Sequence, residues 1–216
     1  MNFYSDEIVN TIVDGDLEQI STKMEEFYQK IFELFYGYSH RVICPNYVFT
    51  LLTDLRNKIV FRCIDTEFNI ENCPSMLIYH KHYDKMTDEL AYYILMICTK
   101  PKFKKYGYAS KMLDDFIQHI KRTHEQSEHK FKDIKVILSS VETAVTFYET
   151  YGFRWTREPI TNHKILMRYE KYDAEKEYFI LELSLFPLSK TIPTTTVSTI
   201  ISSTTPNNSW WPNASY

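Results

Sequence analysis

The residues with the most chemical content lie between Thr99 and Leu113, in the run Thr-Lys-Pro-Lys-Phe-Lys-Lys-Tyr-Gly-Tyr-Ala-Ser-Lys-Met-Leu. An apolar stretch ends there, a short loop follows, and Gly107 stands where an amphipathic helix begins. The first turn of a helix presents N–H groups without internal partners and a partial positive charge, so a phosphate or diphosphate is stabilised at that place. Gly107 and Ala109 leave the backbone unshielded. Lys100, Lys102, Lys104, Lys105 and Lys111 add positive potential to a chain whose formal net charge is −3. The Ser110 hydroxyl can serve either a phosphate or the cap of the helix. The chain contains only 4 glycines, so each is expected where the backbone requires one.

A second informative run follows some forty residues later, Ala144-Val-Thr-Phe-Tyr-Glu-Thr-Tyr-Gly-Phe153. It carries a phenol, Tyr148, able to donate a proton, and a glycine, Gly152, at a helix-to-strand turn. The two runs together resemble a known family. Lys104-x-x-Gly107-x-Ala109 is similar to the Q/R-x-x-G-x-G/A signature of the GNAT superfamily (GCN5-related N-acetyltransferases), with Lys for Gln/Arg and Ala for Gly. Residues 144–153 resemble its second signature, A-x-x-F-Y-x-x-x-G-F, and Pro101-x-Phe103 its P-x-Y/F lead-in. The joint match covers 90–169, somewhat more than a third of the chain.

The resemblance implies an α/β (mixed α+β) GNAT fold: a central mixed sheet of about six to seven strands, splayed between the fourth and fifth, with helices on both faces. It implies acetyl-CoA as co-substrate and no metal. The pantetheine arm would lie in the splay against main-chain groups of Ile97, Cys98 and Thr99. The pyrophosphate would rest on the N–H groups of Lys104, Lys105, Gly107, Tyr108, Ala109 and Ser110. Tyr148 matches the tyrosine that protonates the departing thiolate. The implied reaction is direct transfer of an acetyl group to a primary amine of a small molecule or a protein. The alternative is a catalytically silent CoA-binding or interaction module. Two positions depart from the family. Tyr93 stands where protein-lysine acetyltransferases carry a basic glutamate, which leaves Glu89, Asp88, His80, His82 or a water relay for that role, with Glu89 put forward. Val141 stands where many members have an asparagine touching pantetheine. Cys98 lacks a His/Asp partner in its sequence context, which argues against an acyl-enzyme.

These groups need elements to hold them. Leu17, Ile20, Met24, Phe27, Ile31 and Leu34 recur at helical steps, so Asp16 to Tyr36 reads as a helix closed by Gly37. Tyr47–Leu52, Ile59–Ile64 and Met76–Tyr79 read as short strands. Leu90–Cys98 is apolar on both alternating faces, the pattern of a central strand covered on both sides. Ala109, Met112, Leu113, Phe116, Ile117 and Ile120 form one stripe of the helix that follows. Ile134–Leu138 reads as a second buried strand and Val141–Tyr151 as a helix. Phe153–Arg157 and His163–Tyr169 read as strands, and Asp173 as the N-cap of a last helix reaching Phe186. The domain is placed at 1–186, followed by a Ser/Thr/Pro/Asn-rich tail, 187–216, whose composition predicts disorder.

Composition excludes several classes. A content of 44% hydrophobic and 25% charged residues is that of a globular chain rather than a disordered or fibrous one. A pI near 6.2 makes the whole a poor match for nucleic acid. No run approaches the roughly 20 apolar residues of a membrane span, and residues 1–15 lack the basic start and apolar core of a secretory signal. The expectation is a cytoplasmic protein with neither membrane nor nucleic-acid partner, self-association as a homodimer being left open. Cys44, Cys63, Cys73 and Cys98 show no CxxC spacing and read as reduced thiols. Cys63, Cys73, His80 and His82 match no zinc module.

Overall fold

The computed structural model describes residues 2–5, 25–33, 45–66, 68–169 and 178–186. The core of the molecule is one sheet. Its strands are β1 (Asn2–Ser5), β2 (Asn57–Cys63), β3 (Ser75–Asp84), β4 (Glu89–Thr99), β5 (Asp133–Val141), β6 (Arg154–Trp155) and β7 (Tyr178–Ser184), in the spatial order β1-β2-β3-β4-β5-β7-β6. Every neighbouring pair is antiparallel except β4 and β5, which run parallel. A parallel pair needs a crossover, and here the crossover is the long helix α3 (Tyr108–Glu125).

Helices cover both faces. On one face lie α3 and α4 (Glu142–Glu149). Met112, Leu113, Phe116, Ile117 and Ile120 of α3 are buried there against Leu77, Tyr79, Leu90, Tyr92, Ile94 and Val136. Each such side chain contributes roughly 2 kcal/mol by leaving water. On the other face lie α1 (residues 25–33), α2 (Pro45–Thr53) and α5 (Lys164–Tyr169), which pack Ile31, Val48, Leu51, Ile165 and Leu166 over Phe61, Ile78, Ala91, Leu95 and Ile137. Strand β4 contributes to both layers, as its doubly apolar sequence predicts.

Several expectations are corrected. Tyr47–Leu52 is part of a helix, not a strand. Val48, Leu51 and Leu52 turn inward at helical spacing, and the buried Asn57 amide closes the helix end by donating to the Leu51 carbonyl at 3.0 Å. A short apolar run fits both periods, and tertiary packing decides between them. His163–Tyr169 is likewise helical over Lys164–Tyr169: Ile165, Leu166 and Tyr169 are buried, and Met167 is exposed. The Tyr169 hydroxyl donates to Asp54 at 2.6 Å, which ties α5 to α2. The last helix expected up to Phe186 is the strand β7, inserted between β5 and β6, where Ile180 and Leu181 are buried on opposite faces. Of Phe153–Arg157, only Arg154–Trp155 pairs as a strand. Cys63 and Cys73 are not reduced thiols; they form a disulfide. The loop between β2 and β3 returns the chain beside its own start and brings the two Cα atoms to 3.9 Å. The Asp173 cap, the tail 187–216, Cys44 and the ends of the first expected helix lie outside the described residues. Among the described residues no helix is long and apolar enough to cross a membrane, and no group of three or more His, Cys, Asp or Glu could hold a metal ion.

Candidate active site

The parallel strands β4 and β5 pair from Glu89↔Asp133 to Ile94↔Leu138. There the pairing stops, although β4 continues to Thr99 and β5 to Val141. From Leu95 to Thr99 one edge of β4 is held by β3, through Ser75↔Thr99, Met76↔Cys98 and Leu77↔Ile97, while the edge towards β5 is open. A bulge marks the fork. The register with β3 steps from Ile78↔Met96 to Tyr79↔Ile94, which leaves Leu95 as the extra residue. A bulge bends its strand and increases the local twist, and this one falls where the pairing with β5 ends. The hydroxyl of Tyr47 on α2 donates to the Leu95 carbonyl at 2.8 Å and holds the bulge in place. At the mouth of the gap the Thr99 hydroxyl oxygen is buried and has no partner among the described residues. A buried polar atom is ordinarily paired, so this one is available to a ligand in the gap.

The gap leads to the lysine-rich loop. Pro101–Phe103 forms a 3-10 turn, Lys105 and Gly107 take left-handed backbone conformations (φ 70° and 74°), and α3 starts at Tyr108. The first intrahelical bond runs from Lys111 N–H to the Gly107 carbonyl at 3.0 Å. The N–H groups of Tyr108, Ala109 and Ser110, in the first turn of α3, have no intrahelical acceptor and remain for an anion. A Cβ on Gly107 would meet nothing within 4 Å, so the space above this backbone is empty of protein. Lys104 departs from the expected amide set, because its N–H closes the 3-10 turn on the Pro101 carbonyl at 3.0 Å. Its side chain is exposed, as are those of Lys102, Lys105 and Lys111. The Ser110 hydroxyl does not cap the helix.

Lys100 is a further correction. It does not lie on the loop surface, being 1% exposed, with Nζ donating to the carbonyls of Ile70 (2.5 Å) and Glu71 (2.9 Å). Burial holds its ammonium down from 10.5 to about 8. Its role is to fasten the start of the loop to the 3-10 turn Ile70–Asn72, whose neighbour Cys73 is bridged to Cys63.

Residues 83–171 match the family model of the acetyltransferase (GNAT) domain. That segment, residues 83–171, is a domain of the GNAT type. The fold is similar to that of Tetrahymena GCN5, with a TM-score of 0.53 at 11% identity, covering 87% of this chain and 98% of that one. It is also similar to a structure of the NatC complex bound to Gag peptide and CoA, with a TM-score of 0.50 at 16% identity, covering 85% and 98%. None of the curated proteins matches this sequence.

Within this GNAT domain, α4 starts directly after the free end of β5 and carries Tyr148 on the same face of the sheet as α3. The Tyr148 carbonyl accepts from Tyr151 (3.0 Å) and Phe153 (3.3 Å), and Gly152 makes the turn with φ 89°. The Tyr148 ring packs at 5.0 Å from Phe147 and 5.8 Å from Phe153. Burial pushes its phenol up to about 12, and its hydroxyl has no partner among the described residues. It is therefore a neutral proton donor across the physiological range.

The candidate bases are scattered. Glu89 opens β4, about 17 Å of strand away from Ile94, and its carboxylate lies 3.4 Å from the Lys135 ammonium. Asp88 sits in the turn before it and accepts from Tyr83 at 2.9 Å. His82 is exposed. His80 is buried, with Nδ1 at 3.1 Å from the Asn57 amide oxygen, and burial lowers its pKa. Tyr93 stands one residue before the last β4–β5 rung, Ile94↔Leu138, and its side chain lies on the α5 face. Cys98 is a free cysteine whose thiol burial pushes far up, away from the reactive thiolate. Two residues next to this site were not singled out from the sequence. Tyr47 falls within an expected strand, and His163 at an expected strand end, although a histidine between two short apolar runs with a glutamate five residues earlier is a usable signal.

Proposed function

We propose that this protein transfers an acetyl group from acetyl-CoA to a primary amine. The observation that carries this reading is the coincidence of two open backbone surfaces. The free edge of β4 over Ile97, Cys98 and Thr99 leads directly to the unmet amides of Tyr108, Ala109 and Ser110. An extended pantetheine arm suits the first, because it can add like a strand to an open edge. A diphosphate suits the second, with the exposed Lys102, Lys104, Lys105 and Lys111 supplying counter-charge. The buried Thr99 hydroxyl fits a polar group on that arm.

The chemistry follows from placement. A thioester carbonyl near the fork is attacked by an amine from the α5 face, and charge develops on its oxygen. Main-chain N–H groups left open where β4 diverges can stabilise that oxyanion. The departing thiolate needs a proton, and Tyr148 approaches from the opposite, α4 face with its phenol protonated. An amine with a pKa of roughly 10 must first lose a proton. Glu89, the base put forward from the sequence, opens β4 about 17 Å of strand from the fork, beyond direct reach of an amine there.

The reading is tested by titrating the protein with acetyl-CoA and CoA in a calorimeter, then assaying acetylation of small amines and peptides by mass spectrometry. Saturable binding with acetylated product supports it. Binding without product from any amine supports the silent-module alternative, and no binding removes both.

A further inference from the structure

Taking acetyl transfer at the fork as given, we propose that His163, braced by Glu158 and facing Tyr93, accepts the proton that the acceptor amine must lose. Tyr93 occupies the strand position just before the last β4–β5 rung, and its ring stands edge-on to that of His163, with centroids 6.4 Å apart. His163 is fixed by its backbone N–H, which donates to the Ile160 carbonyl at 2.8 Å. Its side chain is only 10% exposed, and Nε2 lies 3.2 Å from Glu158 Oε2. That approach lacks the geometry of a hydrogen bond, and neither ring nitrogen makes one to a described residue. A buried imidazole with unspent lone-pair capacity beside a carboxylate is an unusual arrangement for a purely structural histidine.

The charge around it suits an ammonium. Glu158, Glu182 and Glu89 all act on the Tyr93 phenol, and with burial they hold it protonated. Lys135 lies against Glu89 and Glu182, at 3.4 and 3.7 Å. The acid and the base then stand on opposite sides of the sheet opening, Tyr148 in the α3/α4 layer and His163 over the α5 face. In the balanced step, the ammonium gives one proton to His163, and the amine nitrogen then bonds to the acyl carbon as the C–S bond breaks. Tyr148 protonates the thiolate, and the remaining proton lost from nitrogen restores Tyr148. His163 returns its proton to water.

The test uses the full chain with acetyl-CoA and an amine that the wild type acetylates. His163→Gln is expected to lower kcat about 100-fold while the Kd for CoA stays unchanged, and Glu158→Gln to lower kcat less. In His163→Ala, added imidazole is expected to restore part of the lost rate. A merely structural role predicts weaker CoA binding and no rescue. His163→Gln with wild-type kcat, or His163→Ala without rescue, overturns the assignment. An inactive wild type that binds CoA removes the transfer reading and this assignment together, whereas an active His163→Gln removes only the assignment.

Discussion

Gly107 offers the sharpest separation of stability from binding. Its backbone is left-handed, with φ 74°, and a Cβ built on it touches nothing within 4 Å. The cost of a side chain in the free protein is therefore conformational rather than steric. For Gly107→Ala this is about 1 kcal/mol, or about 2–4 °C in Tm for a chain of this size. Asn adopts the left-handed region far more readily, so Gly107→Asn is expected to lose less. Binding behaves differently, because the new side chain projects into the space over the unmet amides of Tyr108, Ala109 and Ser110. Hydrogen bonds to a charged group contribute about 1.5–3 kcal/mol each. Moving the diphosphate off two amides therefore costs about 3 kcal/mol or more, roughly 100-fold in Kd. Calorimetric titration with CoA, paired with urea unfolding of each variant, gives both quantities. The expected result for Gly107→Asn is near-wild-type stability with CoA binding weakened at least 100-fold. If Gly107→Asn binds CoA as the wild type does, the diphosphate does not lie over this turn and the site is misplaced.

Three further outcomes follow from the structure. Tyr148→Phe is expected to lower kcat about 100-fold with little change in the Kd for acetyl-CoA; burial keeps the phenol protonated through the physiological range, and an undiminished kcat in the Phe variant refutes its assignment as the acid. Burial holds His124 down from 6.5 to about 4, so the unfolded chain takes the proton first as pH falls. Its contribution is complete above pH 6.5 and is lost on descending to pH 4, amounting to about 3 kcal/mol, and urea unfolding of wild type and His124→Phe across this window should diverge. Reducing the Cys63–Cys73 bridge, which closes a loop with a sequence separation of 10, is expected to cost about 3 kcal/mol; chemical denaturation of Cys63→Ser/Cys73→Ser measures it, and an unchanged midpoint sinks the expectation.

What the sequence alone determined was local and close to the signatures. The glycine at 107 needs a left-handed backbone, the stripe from Met112 to Ile120 needs a helix, and Leu90–Cys98 needs cover on both faces. All three are decided by properties of consecutive residues. The Phe147-Tyr148 pair and Gly152 were legible for the same reason, since the turn is closed by hydrogen bonds within six residues. Other features depended on partners distant in the chain. Tyr47–Leu52 and Lys164–Tyr169 are short apolar runs compatible with either period, and their helical form is decided by the layer they complete over β2 to β5. Residues Tyr178–Ser184 form a strand because β5 offers them an edge. Lys100 reads as one of five loop lysines, yet carbonyls about thirty residues earlier draw its ammonium inside. The splay was implied only by resemblance, whereas the end of the β4–β5 pairing at Ile94↔Leu138, with Leu95 bulged and its carbonyl accepting from Tyr47, is a matter of register between strands. His163 meets Tyr93 across seventy residues of chain. Periodicity and turn chemistry are written in neighbours, whereas the acceptor side of this site is written in contacts that exist only after the sheet has assembled.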